Sequence, residues 1–501
     1  MSRSPTPARR PPALLTLLLL ATGASPLQAQ AARPDRFDGV RGAIHRLLDS
    51  ASAPSLAVAV AKDGRILWEE AFGWQDREKQ VPATVNTMYS LASISKPITA
   101  TGLMVLVERG KVDLDHPTND YLGLGKLSGL AGDAPGATVR RVLSHTAGLP
   151  LHYQFFYANG GYGAPTMDET IARYGILVFK PGEVYQYSNL GFGIIDHIIS
   201  RVSGQSYPDF MRTEVFLPLG LTHTSVDVGP GLESFAAQRY DGQQRPIPFY
   251  VFDHNGASAV YSSTHDLVRF GMFHLKDHLK DQRAILKDET LDAMHAPVPP
   301  ADYGLGWGIN KNDNGYLRVA HSGGMPGVAT LLWLYPTQNL ALVMLVNASV
   351  RPEPVAAELA AVMLPGYGDS LKARRARATA ALDPQAFQPG PELVGEWSGT
   401  VRTWRDTLPI TLSIRSDGDV HVQLGRQLKA LLSEVTFRDG RLVGRFAGRI
   451  PTDDASRHAH SIQLDLRLVE GALKGMASAQ TATEPLVYYS LASYAELRKK
   501  P

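Results

Sequence analysis

The chain has 501 residues, 44% hydrophobic and 20% charged, so it can bury the cores of two domains. Its 50 basic and 48 acidic residues give a formal net charge of +2. This near-balance argues against a nucleic-acid-binding protein, which needs a concentrated basic surface. The absence of cysteine excludes disulfides, thiolate nucleophiles and cysteine-based metal sites.

The first 31 residues are typical of a signal peptide. Arg9 and Arg10 belong to a basic start, residues 13–21 form an apolar stretch, and Ala29-Gln30-Ala31 matches an A-x-A cleavage pattern. The apolar stretch is shorter than the ~20 residues that a membrane-spanning helix needs. We therefore expect a secreted or periplasmic protein with no stable membrane span after cleavage. Retention of the leader as an anchor is the alternative.

The next part of the chain predicts strands at both ends and helices between them. Residues 57–62 and 65–70 are strand-like and flank a tight Asp63-Gly64 turn. Helical spacing, bounded by cap and glycine signals, covers residues 94–109, 189–203 and 265–274. Further strands are expected at residues 304–309, 328–335 and 340–347, followed by a helix over 354–363. The order predicts an antiparallel sheet assembled from both ends of a domain, with a helical region on one side.

A second domain is expected after residue 370. Residues 371–390 are charged and proline-containing, which predicts a linker between a domain at 32–370 and another at 391–501. In the latter, Asp417-Gly418 and Asp439-Gly440 are hairpin signals between short strand-like runs. The C-terminal part is therefore predicted to be all-β.

Ser93-Ile94-Ser95-Lys96 predicts a nucleophile and its base at the start of a helix. Residues three apart share a helix face, so Lys96 is expected beside the hydroxyl of Ser93. A lysine whose pKa is lowered by burial can remove the serine proton. The alternative is a chance pair on a helix surface.

Tyr187-Ser188-Asn189 forms the second candidate element. A tyrosine near a lysine can be pushed towards phenolate and shuttle a proton, and an asparagine amide can hold both lysine and substrate. The alternative is a turn that caps the following helix, which does not exclude the first interpretation. Tyr157-Ala158-Asn159 has the same short pattern without its context.

His321-Ser322-Gly323-Gly324 forms the third. Small residues at a strand edge let substrate approach the backbone, whose N–H groups can stabilise an oxyanion. His321 could donate to substrate or to the Tyr187 oxygen, and the alternative is a glycine-rich hairpin with an incidental histidine.

The remaining histidine patterns predict neither metal nor cofactor. His145 is expected to hold backbone groups in a loop. His274 and His278 lack the glutamate of a zinc motif and are interpreted as part of a solvated helix face. His254-Asn255-Gly256 is a second short match to the third element. The α/β-hydrolase, Rossmann and Walker glycine motifs are also absent.

In this order, the three elements resemble the serine β-lactamase and penicillin-binding protein superfamily, and most of all its class C-like branch. That branch holds class C β-lactamases, D-alanyl-D-alanine carboxypeptidases, D-aminopeptidases and esterases. The resemblance covers about residues 38–365 and extends to the segments 143–150, 262–267 and 303–308. Tyr187-Ser188-Asn189 disfavours class A, which has S-D-N, and His321 stands where the family often has lysine. The C-terminal part resembles the lipocalin-like domains appended to some of these hydrolases.

The resemblance implies an α/β sandwich followed by a small all-β domain. It implies acylation of Ser93, Lys96 and Tyr187 as the base system, and substrate orientation by Asn189. The oxyanion hole would be formed by the backbone N–H groups of Ser93 and Gly324. The expected function is hydrolysis of an ester, amide or peptide bond in a small-molecule or peptide substrate, without a cofactor. The alternative is a binding or sensor protein that is acylated without efficient turnover; the oligomeric state is not predicted.

Overall fold

The computed structural model describes Met1 and residues 35–51, 53–379, 387–481 and 486–500. The predicted signal peptide lies almost entirely outside this part of the chain. In the described residues no helix is long and apolar enough to cross a membrane.

The helices follow one another along the first 379 residues, most of them between the two sets of strands that form the central sheet. They are α1 (Asp38–Ala51), α2 (Ser95–Glu108), α3 (Val139–Leu143), α4 (Met167–Tyr174), α5 (Asn189–Ser203), α6 (Tyr207–Met211), α7 (Asn255–Ser258), α8 (Thr264–His274), α9 (Asp288–Met294), α10 (Glu353–Met363) and α11 (Tyr367–Thr379).

The strands of the first domain are β1 (Ser55–Lys62), β2 (Arg65–Asp76), β3 (Val81–Pro82), β4 (Tyr89–Ser90), β5 (Ser128–Gly129), β6 (Tyr153–Tyr157), β7 (Ile176–Leu177), β8 (Thr224–Val226), β9 (Tyr250–Phe252), β10 (Val260–Ser262), β11 (Gly308–Asp313), β12 (Tyr316–Met325), β13 (Val328–Tyr335) and β14 (Leu340–Val346). Those of the second are β15 (Gly395–Arg402), β16 (Thr407–Ile414), β17 (Val420–Leu424), β18 (Ala430–Leu431), β19 (Ser433–Arg438), β20 (Arg441–Phe446), β21 (Ser461–Val469), β22 (Ala472–Gln480) and β23 (Tyr489–Lys499).

The central sheet confirms the predicted assembly from both ends of the domain. Its order is β11-β12-β13-β14-β1-β2-β3, and β1 pairs antiparallel with β14. Because side chains alternate along a strand, β1 sends Ala57 and Ala59 into the core shared with the helical region and Leu56 and Val58 into the core on the other face. Both faces of its middle strands are therefore buried.

The helices at residues 189–203 and 265–274 have nearly the predicted bounds. Ser188 caps α5 by accepting the N–H of Gly191, and the helix ends at Gly204, which adopts a left-handed conformation at φ +72°. Ser263 caps α8 by accepting the N–H of Asp266.

Three sequence interpretations are wrong in detail. The predicted strand at 304–309 begins only at Gly308, because a backbone hydrogen bond from Gly304 to Trp307 closes a turn before it. His274 is 1% exposed and contacts Thr101 and His295, so it does not lie on a solvated face. The segment predicted as a linker also begins within α11.

The C-terminal strands form a near-closed, barrel-like antiparallel sheet, as the all-β prediction required. Its order is β18-β17-β16-β15-β23-β22-β21-β20-β19, and Trp397 is buried inside. The first domain contributes β6, which pairs with β23 through Gln154 and Tyr489. The barrel is therefore hydrogen-bonded to the segment that leads into the helical region.

Gly148 offers a test of the packing in the loop at residues 143–150. It has a φ of +79°, and a Cβ at this position would lie 2.0 Å from the carbonyl oxygen of Phe179. Gly161 is a matched control, because its φ is +71° and a Cβ there would meet nothing within 4 Å. The left-handed backbone alone costs about 1–2 kcal/mol in either alanine variant.

We expect Gly148→Ala to lower the unfolding free energy further, by about 1–3 kcal/mol, because backbone must shift to admit the methyl group. Urea and thermal unfolding curves measure the difference. Equal losses in Gly148→Ala and Gly161→Ala would show that the loop relaxes around an added methyl group.

Candidate active site

Ser93 lies in a 3-10 turn at residues 92–94, immediately before α2. The turn is held by a hydrogen bond from the N–H of Leu91 to the carbonyl of Val260. Ala92 has a φ of +49°, which a non-glycine residue rarely adopts. Such backbone strain occurs at functional sites, where the surrounding structure holds one conformation.

Lys96 contacts Ser93 as the three-residue spacing predicts. Its Nζ lies 3.1 Å from the Oγ of Ser93, 2.8 Å from the Oδ1 of Asn189 and 3.2 Å from the carbonyl oxygen of Ala257. The side chain is fully buried, and burial lowers its pKa well below the ordinary value.

These three contacts determine which group can receive the hydroxyl proton of Ser93. The amide and carbonyl oxygens can only accept hydrogen bonds, whereas the Ser93 hydroxyl can also donate. A neutral amine has two hydrogens and one lone pair. Lys96 can therefore donate to Asn189 and Ala257 and receive the hydroxyl proton of Ser93, which is the arrangement of a general base.

Tyr187 lies on the other side of this pair. The Nζ of Lys96 is 4.7 Å from the centroid of the Tyr187 ring, and Ser93 lies close enough to the phenol to lower its pKa. Burial raises the pKa of Tyr187, although the contact with Ser93 lowers it. The phenol is therefore protonated at neutral pH, contrary to the suggestion that Lys96 pushes it towards phenolate.

Asn189 is the first residue of α5 and its amide orientation is fixed. The Nδ2 donates to the carbonyl of His152 at 3.0 Å, which leaves the Oδ1 to accept from Lys96. Its backbone N–H donates to Leu151 at 2.8 Å. Both interpretations of the Tyr187-Ser188-Asn189 motif hold structurally, since Ser188 caps the helix while its neighbours contact Lys96 and Ser93.

His321 lies close to the site, but its ring nitrogens have other partners. Its Nδ1 donates to the carbonyl of Ser322 at 2.7 Å, so its Nε2 accepts from the hydroxyl of Tyr303 at 2.9 Å. Burial lowers the pKa of His321 to about 3. The imidazole is neutral, and the expected hydrogen bond to the Tyr187 oxygen is not formed.

His145 supports Tyr187, a contact that the sequence did not predict. Its Nδ1 accepts the backbone N–H of Ser188 at 3.1 Å, as expected for a histidine that holds a loop. Its ring also packs against the Tyr187 ring, with centroids 4.3 Å apart. His145 therefore orients both the backbone and the side chain of this motif.

The glycines of β12 bring its backbone against Ser93. A Cβ on Gly323 would lie 2.2 Å from the carbonyl of Leu91, whereas one on Gly324 would enter open space. The register with β11 ends at Ala320, so the adjacent edge at residues 321–325 has no partner strand among the described residues. This edge can present N–H groups to a substrate carbonyl.

Two neighbouring cavities meet at Ser322. The first, of about 670 Å³, is lined by Ser93, Asn189, His254 and Gly324. The second, of about 520 Å³, is lined by Tyr187 and His321. Both volumes suit a small ligand. Val487 of the C-terminal domain also lines the first cavity, so the barrel contributes to its wall.

A buried cluster of His152, Asp253 and His254 lies beside the first cavity. The potential donor atoms of the three side chains lie within 4.8 Å of one another, which would suit a metal ion. However, Asp253 already accepts hydrogen bonds from both imidazoles, from Gln154 and from Thr170. The Asp253 carboxylate is thus fully hydrogen-bonded. The H-x-G pattern at residues 254–256 was the only sequence signal for it.

Comparisons with known proteins match most of the first domain. The profile of the family described as Beta-lactamase matches residues 40–365. Penicillin-binding protein 4* of Bacillus subtilis (strain 168) is 29% identical over 316 residues, which are 58% of this chain and 67% of that protein.

Solved structures share the fold. SurE with D-Leu has a TM-score of 0.58 at 21% identity, covering 93% of this chain and 99% of that chain. A class C beta-lactamase has a TM-score of 0.54 at 20% identity, covering 70% of this chain and 97% of that chain.

Lys96→Met tests the proposed proton acceptor. We expect acylation of Ser93 to slow by about 10²–10⁴-fold, because the base is lost. In the unsubstituted protein, acylation should fall at acid pH as Lys96 becomes protonated. It should stay level on the alkaline side of that fall, because burial lowers the pKa of Lys96 and raises that of Tyr187. Stopped-flow acylation by a neutral chromogenic ester measures both effects.

Lys111→Met is the control, because Lys111 is exposed beyond the other end of α2. It should acylate at the original rate. An unchanged rate in Lys96→Met, with its fold preserved by circular dichroism, would contradict the assignment.

Proposed function

The chain belongs to the beta-lactamase family, and we propose that it is a serine hydrolase that forms an acyl-enzyme at Ser93. The observation that carries the proposal is the Nζ of Lys96, 3.1 Å from the Oγ of Ser93 and held by two oxygens that can only accept. A buried neutral lysine in this position activates a hydroxyl that is otherwise a weak nucleophile.

In acylation, the Ser93 oxygen attacks the substrate carbonyl and its proton passes to Lys96. The backbone N–H groups of Ser93 and Gly324 are the proposed donors to the oxyanion. The Tyr187 phenol, in contact with Ser93, gives its proton to the leaving group and is reprotonated from Lys96. Asn189 holds Lys96 in place during these transfers. Water then hydrolyses the ester to release the acyl group.

The substrate is proposed to be an ester, amide or peptide whose acyl part carries no carboxylate for position 321. The neutral imidazole of His321 provides no positive charge there. This favours an esterase or a peptidase over an enzyme dedicated to β-lactams. The fold likeness to SurE with D-Leu makes D-amino-acid esters and amides suitable members of a substrate panel. Export through the N-terminal leader is part of the same proposal, because it would place the enzyme among extracellular substrates.

Ser93→Ala tests the nucleophile. We expect it to abolish turnover of short acyl esters and the covalent mass adduct formed by a phosphonate or β-lactam probe. Ser258→Ala is the matched control, because Ser258 lines the same cavity and is 7% exposed. It should keep both the adduct and the turnover.

Unchanged turnover in Ser93→Ala would contradict the proposal. Stoichiometric labelling of Ser93 without multiple turnover on esters, D-amino-acid peptides or β-lactams would instead favour a sensor that is acylated and not released.

His321→Lys tests the substrate preference. A lysine charge near a substrate carboxylate is worth about 1–4 kcal/mol at a separation of 4 Å, depending on the local dielectric constant. We expect the rate ratio of a carboxylate-bearing β-lactam to a neutral ester to rise about tenfold in this variant. Acylation rates measured side by side give the ratio, and His321→Gln, which adds no charge, should leave it unchanged. Equal rate ratios in both variants would show that residue 321 does not interact with the substrate carboxylate.

A further inference from the structure

His254 is a second histidine beside the nucleophile. It immediately precedes α7, is 1% exposed, and lines the first cavity together with Ser93 and Asn189. Tyr187 and His321 line the second cavity. The first cavity therefore has a titratable group of its own that acylation does not use.

Hydrogen bonds fix the state of the His254 ring. Its Nδ1 lies 2.7 Å from the Oδ1 of Asp253. Burial raises the pKa of Asp253, but its contacts with His152 and His254 outweigh this and hold the pKa below its usual range. The carboxylate is ionised and can only accept, so the proton of His254 is on Nδ1. The lone pair is then on Nε2.

The Nε2 of His254 is available, in contrast to that of His321. Among the residues that the structure describes, none hydrogen-bonds this atom, whereas the Nε2 of His321 accepts from Tyr303. Burial also lowers the pKa of His254, although Asp253 opposes this, so the ring is neutral at neutral pH. An imidazole oriented by a carboxylate, with a free nitrogen beside a nucleophile's cavity, is the arrangement of a general base.

We propose that His254 is the general base of deacylation and that Asp253 positions it. This inference rests on the acyl-enzyme proposed at Ser93. A water molecule in the first cavity gives one proton to the Nε2 of His254 as its oxygen bonds to the acyl carbon. The bond between the acyl carbon and the Ser93 Oγ then breaks, and the imidazolium returns the proton to Oγ. The products are the free acid, the Ser93 hydroxyl and neutral His254.

The groups proposed for acylation and the group proposed for deacylation differ in where they lie relative to the two cavities. In the proposed acylation, Lys96 takes the proton of Ser93, and Tyr187, which lies beside Ser93, supplies the proton of the leaving group. In the acyl-enzyme the serine oxygen is esterified, and the proton to be removed belongs to a water molecule in the cavity. His254 has an unoccupied acceptor in the cavity that Ser93 lines.

His254→Asn tests the proposal, because the asparagine amide can replace the Nδ1 donation to Asp253 while removing Nε2. With a chromogenic ester, the pre-steady-state burst reports acylation and the subsequent linear phase reports deacylation. We expect the burst rate to stay within about threefold and the linear rate to fall about 10²–10⁴-fold. Mass spectrometry should show the acyl group accumulating on Ser93. Hydroxylamine, a stronger nucleophile than water, should restore part of the turnover.

His274→Gln is the control, because this histidine is also 1% exposed but bonds to Thr101 within the core. It should leave both phases unchanged. If His254→Asn does not fold, His254→Gln is measured in the same way. An unchanged linear phase, or an equal fall in both phases without rescue by hydroxylamine, would overturn the role of His254.

Three outcomes can be distinguished. In the first, a chelator stops deacylation in the unsubstituted protein and added zinc restores it. That result would contradict the general-base role of His254 and indicate a metal ion bound by His152, Asp253 and His254. Absence of any adduct in the unsubstituted protein, with turnover kept in Ser93→Ala, would overturn the proposed function itself. An adduct that forms and is released at the original rate in His254→Asn would overturn the deacylation role alone.

Discussion

The site depends on keeping the Lys96 amine buried with no carboxylate bonded to it. Lys96 meets the Ser93 hydroxyl, the Asn189 amide and the Ala257 carbonyl, and a neutral amine satisfies all three. A carboxylate partner would favour the ammonium form and remove the base. Of the buried acids in this region, Asp196 has its pKa raised to about 8 by burial and is largely uncharged at neutral pH, whereas the ionised Asp253 bonds to His152 and His254 and not to Lys96.

The fold brings this environment together from distant parts of the chain. The partners of Lys96 come from the turn before α2, from the start of α5 and from α7, where Ala257 is 161 residues away from Lys96 in sequence. Thr99, one turn after Lys96, donates to the carbonyl of Gly256 and so fastens α2 to α7. On the other side, β12 approaches the Ser93 turn through Gly323, where a side chain does not fit. The sheet assembled from both ends of the first domain thus supplies one wall, and the inserted helices supply the other.

The sequence predicted those features that depend on local rules. The spacing of Ser93 and Lys96, the cap at Ser188 and the glycine at the end of α5 are set within a few residues, and the structure has them as expected. Electrostatic states could not be predicted this way. The protonated phenol of Tyr187 and the neutral ring of His321 depend on burial by residues far away in sequence. The strand at 304–309 was misplaced for a similar reason, since the N–H of Gly306 donates to the distant carbonyl of Leu143.

The sequence also could not distinguish the two histidines that begin an H-x-G pattern. His321 and His254 are indistinguishable as H-x-G matches, and their rings are both buried and neutral. They differ in what surrounds the second nitrogen: a tyrosine hydroxyl occupies it in His321, whereas among the described residues nothing bonds to it in His254. A histidine acts on a proton only through a nitrogen that has a free lone pair or a hydrogen to give. The hydrogen bond from Tyr303 therefore leaves His321 a packing role beside the site, whereas the free Nε2 of His254 is the basis of the chemical role proposed for it.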